Sequence, residues 1–407
     1  MNDFIYRLKN LPFYLCAPFF FCAFILVIIN VLALFPSESF EMLYYGISRG
    51  ACALFSVSAA LFITYYICKN SKKAFAAGFC ILLFDLILFT LCSVHISLIF
   101  GIAFSLLYAF IFSKNELFPA FSLCVLISLA VGLTAGLANE TAVDFIKMLC
   151  ASLKGRGALF GAVNNLYSLL FSDRLAQMFL NKDYSGSAFT AGKVISGVMS
   201  VFKAQGVAGI NASRYLAGKY FVNFFVCSSA FVLIYSRLDS NGKSALIACF
   251  ALAAVFGDIR LFSLFILIYN PLMYIGMLLL TVLSYLTAYF LDIRLVYLKE
   301  GSLAELLKYR DKLGYFLLAG VIIFALSYFT ERIILSKFDF QSRKIVPKEV
   351  KTIVNALGGD ENIQSIQGTD VILKNPNLID ILKLDCDIKG NRVTLSFDDL
   401  RLIKKFY

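Results

Sequence analysis

Five polar side chains stand inside strongly apolar stretches of the sequence, where they could contact a polar solute. Asp258 and Arg260 occur in FGDIRLFS, Asn164 and Asn165 in FGAVNNLY, and Asp85 in ILLFDLILFT. Carboxylate, guanidinium and amide groups form hydrogen bonds with hydroxyl groups, so together they can replace the water shell of a hydroxyl-rich molecule. These residue types therefore predict a solute-binding cavity lined by these side chains.

A structural role is the alternative interpretation of the charged residues. Asp258 and Arg260 are two positions apart and could simply neutralise each other at a break between helices. Asp85 could pair in the same way with a neighbour such as Arg49. The sequence is compatible with either role.

Metal or cofactor chemistry is not predicted. The 11 cysteines are scattered singly, with no Cys-x-x-Cys pair and no spacing typical of a zinc site. The single histidine, His95, lies in a short stretch between apolar runs, where a hydrogen-bonded or exposed side chain is expected rather than a metal ligand. Solute binding is therefore the main chemistry that the residue types favour.

The elements that position these side chains are predicted to be transmembrane helices. The chain has 407 residues, of which 60% are hydrophobic and only 15% charged, which excludes an ordinary soluble domain. Many apolar runs are about 20 residues long, enough to cross a ~30 Å hydrocarbon layer as helices. They are apolar on both faces, unlike the alternating strands of a β-barrel. We predict an all-α polytopic membrane bundle of about ten transmembrane helices. The clear apolar runs are 11–35, 43–68, 74–92, 96–113, 117–138, 219–237, 244–256, 261–291 and 313–335.

Residues 141–209 differ from the rest of the membrane part. Charged, Asn and Gly residues are interleaved with apolar ones, and no clean hydrophobic span is visible. Irregular polar backbone at membrane depth is tolerated only where it is buried in protein or lines a water-filled cavity. We therefore expect re-entrant or irregular segments here, close to the substrate.

The charge distribution predicts how the chain is oriented in the membrane. Acidic and basic residues nearly cancel after Phe338, so most of the net charge of +11 belongs to the membrane part, and nucleic-acid binding is not indicated. Basic and non-basic loops alternate, which is typical of the positive-inside pattern of a cytoplasmic membrane protein. Both termini are therefore expected in the cytoplasm. The basic loops contain Arg7 and Lys9, Lys69–Lys73, Lys114, and Lys154 with Arg156.

The stretch 298–312, LKEGSLAELLKYRDK, does not follow this alternation. It is basic, although it should lie outside if one more span precedes a cytoplasmic C-terminal domain. Either an amphipathic segment lies flat there, or the number of spans before it differs by one.

A small α/β domain is predicted to follow the membrane part. In PKEVKTIVNALGG the apolar residues have helical spacing and the Gly358-Gly359 pair ends the helix, whereas NRVTLSF alternates like a strand. The closing DDLRLIKKFY starts with carboxylates and ends with lysines, as suits a helix. We predict a membrane domain at 1–337 and a cytoplasmic α/β domain at 338–407.

The sequence LGGDENIQSI in this domain resembles the B domain of the glucose-family phosphotransferase system. In that family Glu-Asn-Ile is followed by a phosphorylated cysteine in a Cys-x-Thr-Arg-Leu-Arg motif. Here the position of the cysteine falls on Thr369, and Cys386 further on lacks the motif. A threonine hydroxyl is a poor phosphoryl acceptor without an adjacent base. The resemblance thus implies a degenerate B domain.

The membrane part resembles the C domain of the same family, above all in SRYLAGKYFVNFFVCSSAFVLIY at 213–235. The resemblance implies that Lys219 contacts the substrate. The family's Gly-Ile-Thr-Glu-Pro-Ile-Glu-Phe signature, whose glutamates meet the sugar, is reduced to FGDIRLFS, with Asp258 at the first glutamate and Leu261 at the second. At the family's histidine turn this chain has Asp173 and Arg174.

These resemblances imply a sugar permease of the phosphotransferase type in the inner membrane, a phosphotransferase component that has lost its catalytic residues. The expected partners are a hexose, amino-hexose or disaccharide, separate phosphocarrier proteins, the lipid bilayer, and a second copy of the chain in a homodimer. Two alternatives remain open. One is a regulatory or sensor relative that does not transport, and the other is facilitated transport without phosphorylation.

Overall fold

The chain folds into two compact units, Met1–Phe340 and Gln341–Tyr407. The predicted boundary at 337/338 lies slightly earlier. Phe338 belongs with the first unit, because its carbonyl oxygen accepts a hydrogen bond from Asn270 Nδ2 at 2.8 Å. The computed structural model describes residues 11–32, 38–92, 95–170, 174–190, 192–205, 216–295, 301–308, 312–338, 353–359, 362–367, 370–376, 379 and 386–395.

The first unit begins with five apolar helices, which lie close to the predicted spans. Short polar stretches separate them, such as Asn70, whose side-chain oxygen accepts hydrogen bonds from the Lys72 and Lys73 backbone at the start of a helix. The helices are α1 (Leu11–Leu32), α2 (Glu38–Cys68), α3 (Ser71–Cys92), α4 (Leu98–Lys114) and α5 (Leu117–Leu137).

The next part of the chain is more irregular, as the sequence predicts, but it also contains a β-hairpin that was not predicted. The all-α description is therefore incomplete for this unit. The strands read SAFT and KVIS, in which the two apolar residues are adjacent, so neither shows the alternation of a half-buried strand. Thr190 pairs with Lys193 across a two-residue turn that contains Gly192, whose φ of 78° favours glycine. The elements are α6 (Asn139–Leu153), α7 (Gly157–Leu170), α8 (Arg174–Asn181), β1 (Ser187–Thr190), β2 (Lys193–Ser196) and α9 (Val198–Gln205).

The last part of the first unit supplies more than half of the larger of its two core clusters. The predicted span 261–291 is wrong, because two helices occupy it. Asn270 breaks it by capping the second helix: its side-chain oxygen accepts from the backbone nitrogens of Leu272 and Met273, and Pro271 takes the first helical position. The helices are α10 (Gly218–Tyr235), α11 (Ser240–Phe256), α12 (Arg260–Tyr269), α13 (Pro271–Phe290), α14 (Leu303–Lys308) and α15 (Leu313–Lys337).

The basic stretch at 298–312 contains the short helix α14. Glu305 caps it by accepting hydrogen bonds from the backbone nitrogens of Gly301 and Ser302. The carbonyl oxygen of Gly301 accepts a hydrogen bond from Asn223 Nδ2 at 3.1 Å. This segment therefore packs against α10.

Five helices are long and apolar enough to cross a membrane within the described part of the chain: α3, α5, α10, α13 and α15. Five further apolar helices there have 10–17 residues, at Leu15–Val31, Cys52–Cys68, Leu98–Lys114, Ser240–Phe256 and Arg260–Tyr269. The chain is thus a helical membrane protein, as predicted. The count of about ten spans stays a prediction.

The second unit contains a short helical segment at 353–356 and an antiparallel sheet of order β3-β4-β6-β5. Val371, Val393 and Leu357 are fully buried in its core, and Gly358 and Gly359 end the helix with φ of 92° and 95°. The predicted helix stop and strand are confirmed. Thr369 and the predicted closing helix lie outside the described residues. The strands are β3 (Ile363–Gln367), β4 (Asp370–Leu373), β5 (Cys386–Lys389) and β6 (Arg392–Leu395).

Asn362, the asparagine of the DENI stretch, has a structural role in the second unit. Its Nδ2 donates to the carbonyl oxygens of Leu357 and Asn375, and its Oδ1 accepts from the Asn375 nitrogen. The side chain is buried and ties the end of the helical segment to the end of β4. Part of the resemblance in this stretch is therefore explained by the local fold.

Candidate functional site

A polar cavity in the first unit is lined by five of the six side chains considered for solute binding; the sixth, Asp85, does not line it. Asn164 and Asn165 come from α7 and Lys219 from α10. Asp258 lies in the break between α11 and α12, and Arg260 is the first residue of α12. The fold thus brings together residues that are almost one hundred positions apart in the sequence. The described lining also includes Gly161, Ser168, Val222, Ile259, Thr281 and Tyr285.

Asp258 reaches the cavity because α11 ends in a glycine cap. Gly257 has a left-handed backbone with φ of 83°, and its nitrogen donates to the Ala253 carbonyl at 3.1 Å. The bond from Gly257 to Ala253 is that of an αL cap. The Asp258 nitrogen donates to the Leu252 carbonyl at 3.3 Å. The chain turns at once, and Asp258 points into the space between the two helices.

Asp258 and Arg260 form a two-pronged ion pair at the wall of the cavity. Arg260 Nε donates to Asp258 Oδ1 at 2.9 Å and Nη2 to Oδ2 at 2.6 Å, while the Arg260 backbone nitrogen also donates to Oδ1 at 3.1 Å. Only 10% of the aspartate side chain and 12% of the arginine side chain are exposed. The two interpretations from the sequence therefore coexist, since the residues neutralise each other and also line the cavity.

The two asparagines bring hydrogen-bonding atoms that the protein leaves unused. Asn164 Oδ1 and Asn165 Nδ2 are buried and have no hydrogen-bond partner in the described structure. Asn165 Oδ1 accepts a hydrogen bond from the Tyr274 hydroxyl at 3.3 Å, which orients the amide. Most buried polar atoms in proteins are paired, so an unpaired acceptor and an unpaired donor on one wall indicate a place for a polar ligand.

Tyr285 and Thr281 on α13 complete the cavity, and the sequence analysis missed both. Their stretch, LTVLSYLTAYF, reads as an ordinary apolar span. The available signal was the pair of glycines opposite. A Cβ on Gly161 would lie 2.5 Å from the Tyr285 ring, and a Cβ on Gly218 would lie 2.4 Å from the Tyr285 Cα. Only glycines allow α7 and α10 to approach α13 so closely.

Replacing Gly218 by alanine is expected to destabilise the first unit by about 1–3 kcal/mol, because the backbone of α13 must move to admit a methyl group. Thermal unfolding in detergent measures the effect. Gly314→Ala is the matched control, since nothing lies within 4 Å of the Cβ it would add. Equal melting temperatures for Gly218→Ala and the unmutated protein would contradict this packing.

The cavity is narrow in this structure. Its volume is about 40 Å³, which accommodates about three water molecules and not a hexose. The polar residues are therefore preassembled, and a larger solute enters only when the surrounding helices separate.

A larger cavity of about 400 Å³ lies between α3, α4, α5, α6 and α7, but its chemistry is different. Apart from His95, Ser97, Asn139 and the Tyr167 hydroxyl, its described lining is apolar. It offers few groups to a hydroxyl-rich solute.

Asp85 lies near this apolar cavity and not in the polar one. Its Oδ2 is 2.9 Å from His95 Nδ1, and its Oδ1 accepts a hydrogen bond from the Ile96 nitrogen at 2.7 Å. Asp85 therefore fixes the turn that leads into α4. The predicted partner, Arg49, has a side chain outside the described part of the structure.

The remaining residues of the predicted chemistry are not part of the described site. Leu261, at the place of the family's second glutamate, is buried in the core. Asp173, the Arg174 side chain and Thr369 fall outside the described residues. No family model matches the chain, and no curated protein matches it.

Proposed function

We propose that the first unit binds a sugar in the polar cavity and carries it across the membrane, as a permease of the phosphotransferase type. The observation that supports this most is the convergence of Asn164, Asn165, Lys219, Asp258 and Arg260 on one cavity. These residues come from three separate segments of the sequence, on α7, on α10 and at the break between α11 and α12.

The cavity offers complementary groups to a sugar. Asp258 accepts hydrogen bonds from hydroxyl groups, and its link to Arg260 holds the carboxylate in place. The unpaired Asn164 Oδ1 accepts and the unpaired Asn165 Nδ2 donates. A hydroxyl group both donates and accepts, so a ring carrying several of them satisfies all of these atoms.

Transport requires the narrow cavity to open to each side of the membrane in turn. The cavity lies where two helices are interrupted: α11 and α12 break at Asp258, and α10 contains a π-helical segment at Val222–Val226. Broken helices around a central site are a recurring feature of transporters that move by rigid-body rocking. We propose the same motion here.

Phosphorylation of the sugar is not assigned to this chain. A threonine at the carrier position cannot replace a thiolate. In the proposed scheme a separate B protein donates phosphate, or the sugar crosses unmodified.

A sensor that does not transport is the second candidate. The threonine at the carrier position favours it, because a protein that only reports on a bound solute needs no phosphoryl carrier. In that case the second unit serves as a docking surface. Binding without transport distinguishes this candidate from a permease.

Sugar-dependent thermal stabilisation of the purified full chain tests the proposal. At a ligand concentration 100 times Kd, binding stabilises a protein by about 2.7 kcal/mol, which raises the melting temperature measurably. We expect such a shift with at least one member of a panel of hexoses, amino-hexoses and disaccharides. No shift with any member would argue against sugar binding.

The proposed orientation predicts which exposed positions can be labelled from each side. We expect Lys72→Cys and Asn391→Cys to react with a membrane-impermeant maleimide only from the cytoplasmic side, and Glu140→Cys only from the outer side, because positive loops stay inside. Labelling of right-side-out and inverted vesicles gives the answer. If Asn391→Cys reacts from the outer side, the second unit lies outside and the predicted orientation is wrong.

A further inference from the structure

α15 is long enough to cross the membrane and carries one acidic residue, Glu331, whose neighbour in the sequence is the exposed Arg332. The residue is completely buried. It plays no part in the polar cavity, whose described lining does not include it. Ionisable residues at such places are costly, so their presence indicates a function.

The hydrogen bonds around Glu331 need one more hydrogen than Ser229 can supply. The Ser229 hydroxyl oxygen on α10 lies 2.7 Å from Glu331 Oε2 and 2.8 Å from the carbonyl oxygen of Val226. Both neighbours are acceptors when Glu331 is ionised, but a serine hydroxyl has a single hydrogen. If Glu331 carries a proton, it donates to Ser229, and Ser229 donates to Val226. Both contacts are then satisfied.

A second hydroxyl lies on the same face of α15. Ser327 is four residues before Glu331, which places the two side chains one above the other on the helix. Its hydroxyl oxygen and Glu331 Oε1 are both buried, and neither has a hydrogen-bond partner in the described structure. The interface between α10 and α15 therefore holds a small polar cluster, defined by Ser229, Ser327 and Glu331.

No described cation balances a charge on Glu331. The helices packed against α15 are α10 and α13. Lys219 on α10 is ten residues from Ser229, about 15 Å along the helix axis. Arg332 and Lys337 share α15 with Glu331, and their side chains are exposed. α13 has no Asp, Glu, Lys or Arg. The other titratable groups on these helices are Cys227, Tyr220, Tyr235, Tyr274, Tyr285, Tyr289, Tyr315 and Tyr328.

We propose that Glu331 is a proton-binding site and that its proton is linked to solute binding in the polar cavity. The link rests on the proposed function, and the proton site itself does not. Val226, the end of the hydrogen-bond chain, closes the π-helical segment that begins at Val222, a residue of the cavity wall. Release of the proton to water leaves Ser229 with one hydrogen for two acceptors, and the contact between its hydroxyl and the Val226 carbonyl loses its hydrogen bond. α10 must then shift, and the shift reaches the cavity.

Infrared difference spectroscopy of the full chain between about pH 6 and about pH 9 tests the proton site directly, because an exposed glutamate is ionised throughout this range. We expect a carboxylic acid C=O band that disappears as the pH rises. It should be absent in Glu331→Gln, which keeps the size and a donor group. It should remain in Arg332→Gln, the exposed neighbour, and move in frequency in Ser229→Ala. A band unaffected by both Glu331→Gln and Ser229→Ala would overturn the assignment.

Thermal unfolding gives a second readout that needs no solute. If the folded state holds a proton that the unfolded chain releases, stability falls as the pH rises through this range. The melting temperature of the unmutated protein should therefore be lower at about pH 9 than at about pH 6. The decrease should be larger than the decrease measured for Glu331→Gln. Equal pH dependence in the two proteins would contradict proton binding at Glu331.

The link to the cavity is tested by sugar affinity over the same pH range. We expect the affinity of the unmutated protein to change at least about fivefold, the lower end of typical coupling between sites, and that of Glu331→Gln to stay constant. A pH-independent affinity in the unmutated protein would refute the link while leaving the proton site intact. If no sugar binds, the proposed function and the link fail together, and the infrared band still decides the proton site.

Discussion

Asp258→Ala is expected to lower the free energy of unfolding by about 3–5 kcal/mol, because it removes the carboxylate that balances a buried guanidinium. Arg260 loses two side-chain hydrogen bonds, and only 12% of its side chain is exposed to water. The double variant Asp258→Ala/Arg260→Ala should recover much of this loss, since no charge then stays buried without its partner. Sugar binding should be lost in both variants. Thermal unfolding and equilibrium binding measure the two effects separately.

Asp292→Ala is a matched control for this prediction. Asp292 and Arg294 form an ion pair with the same two-residue spacing, but their side chains are 38% and 31% exposed. Asp292 also pairs with Lys312 at 3.3 Å and has a left-handed backbone with φ of 50°, which alanine tolerates less well than aspartate. We therefore expect the control to lose about 1–2 kcal/mol, less than Asp258→Ala. If Asp258→Ala costs no more than Asp292→Ala, the Asp258–Arg260 pair is not a buried element of the cavity wall.

Asn164→Leu is expected to abolish most sugar binding without destabilising the protein. Asn164 Oδ1 has no partner in the described structure, so replacing the amide with an apolar side chain of similar size removes an unsatisfied buried atom. Stability should stay constant or rise. Loss of one or two hydrogen bonds to the sugar should weaken binding about tenfold or more, since each ~1.4 kcal/mol is a factor of ten.

The opposite pattern would assign Asn164 to the fold. If Asn164→Leu unfolds at a clearly lower temperature and binds sugar normally, the amide stabilises the helices and does not face the solute. Asn165→Leu is the useful comparison, because it removes the acceptor of the Tyr274 hydroxyl. We expect Asn165→Leu to lose both stability and binding.

The spans and the polar residues were predictable from the sequence because both depend on local composition. A run of about 20 apolar residues has few alternatives to a transmembrane helix. A charged side chain inside such a run is costly unless it has a partner or a function, and this cost identified Asp258 and Arg260 as candidates. Asp258, Arg260, Asn164 and Asn165 do line one cavity, together with Lys219, whereas Asp85 does not.

Other parts of the site depend on contacts between distant segments and left no local pattern. Tyr285 lines the cavity because Gly161 and Gly218 allow close approach of two other helices. The partner of Asp85 proved to be His95, ten residues along the chain, because the turn before α4 folds back. Glu331 stands in a predicted span, but only the packing of α15 on α10 shows that it is buried against Ser229.

Helix breaks were predicted unevenly for a related reason. Gly257 stands at a visible break in composition, whereas Asn270 and Pro271 interrupt a continuous apolar run. Asn followed by Pro is a start signal for a helix, and its cap geometry confirms this reading. The continuous hydrophobicity of residues 261–291 predicts one span, although the Asn270-Pro271 signal divides it into α12 and α13.

Uptake of labelled sugars into liposomes that contain only this protein tests the central claim most directly. The account predicts saturable uptake of at least one hexose, amino-hexose or disaccharide, inhibited by the same unlabelled sugar and lost in Asn164→Leu. Protein-free liposomes and the Asp292→Ala variant provide the controls. No saturable uptake of any sugar by the folded, correctly oriented protein would contradict a permease, and no sugar-dependent melting shift in the same preparation would also contradict a sugar sensor.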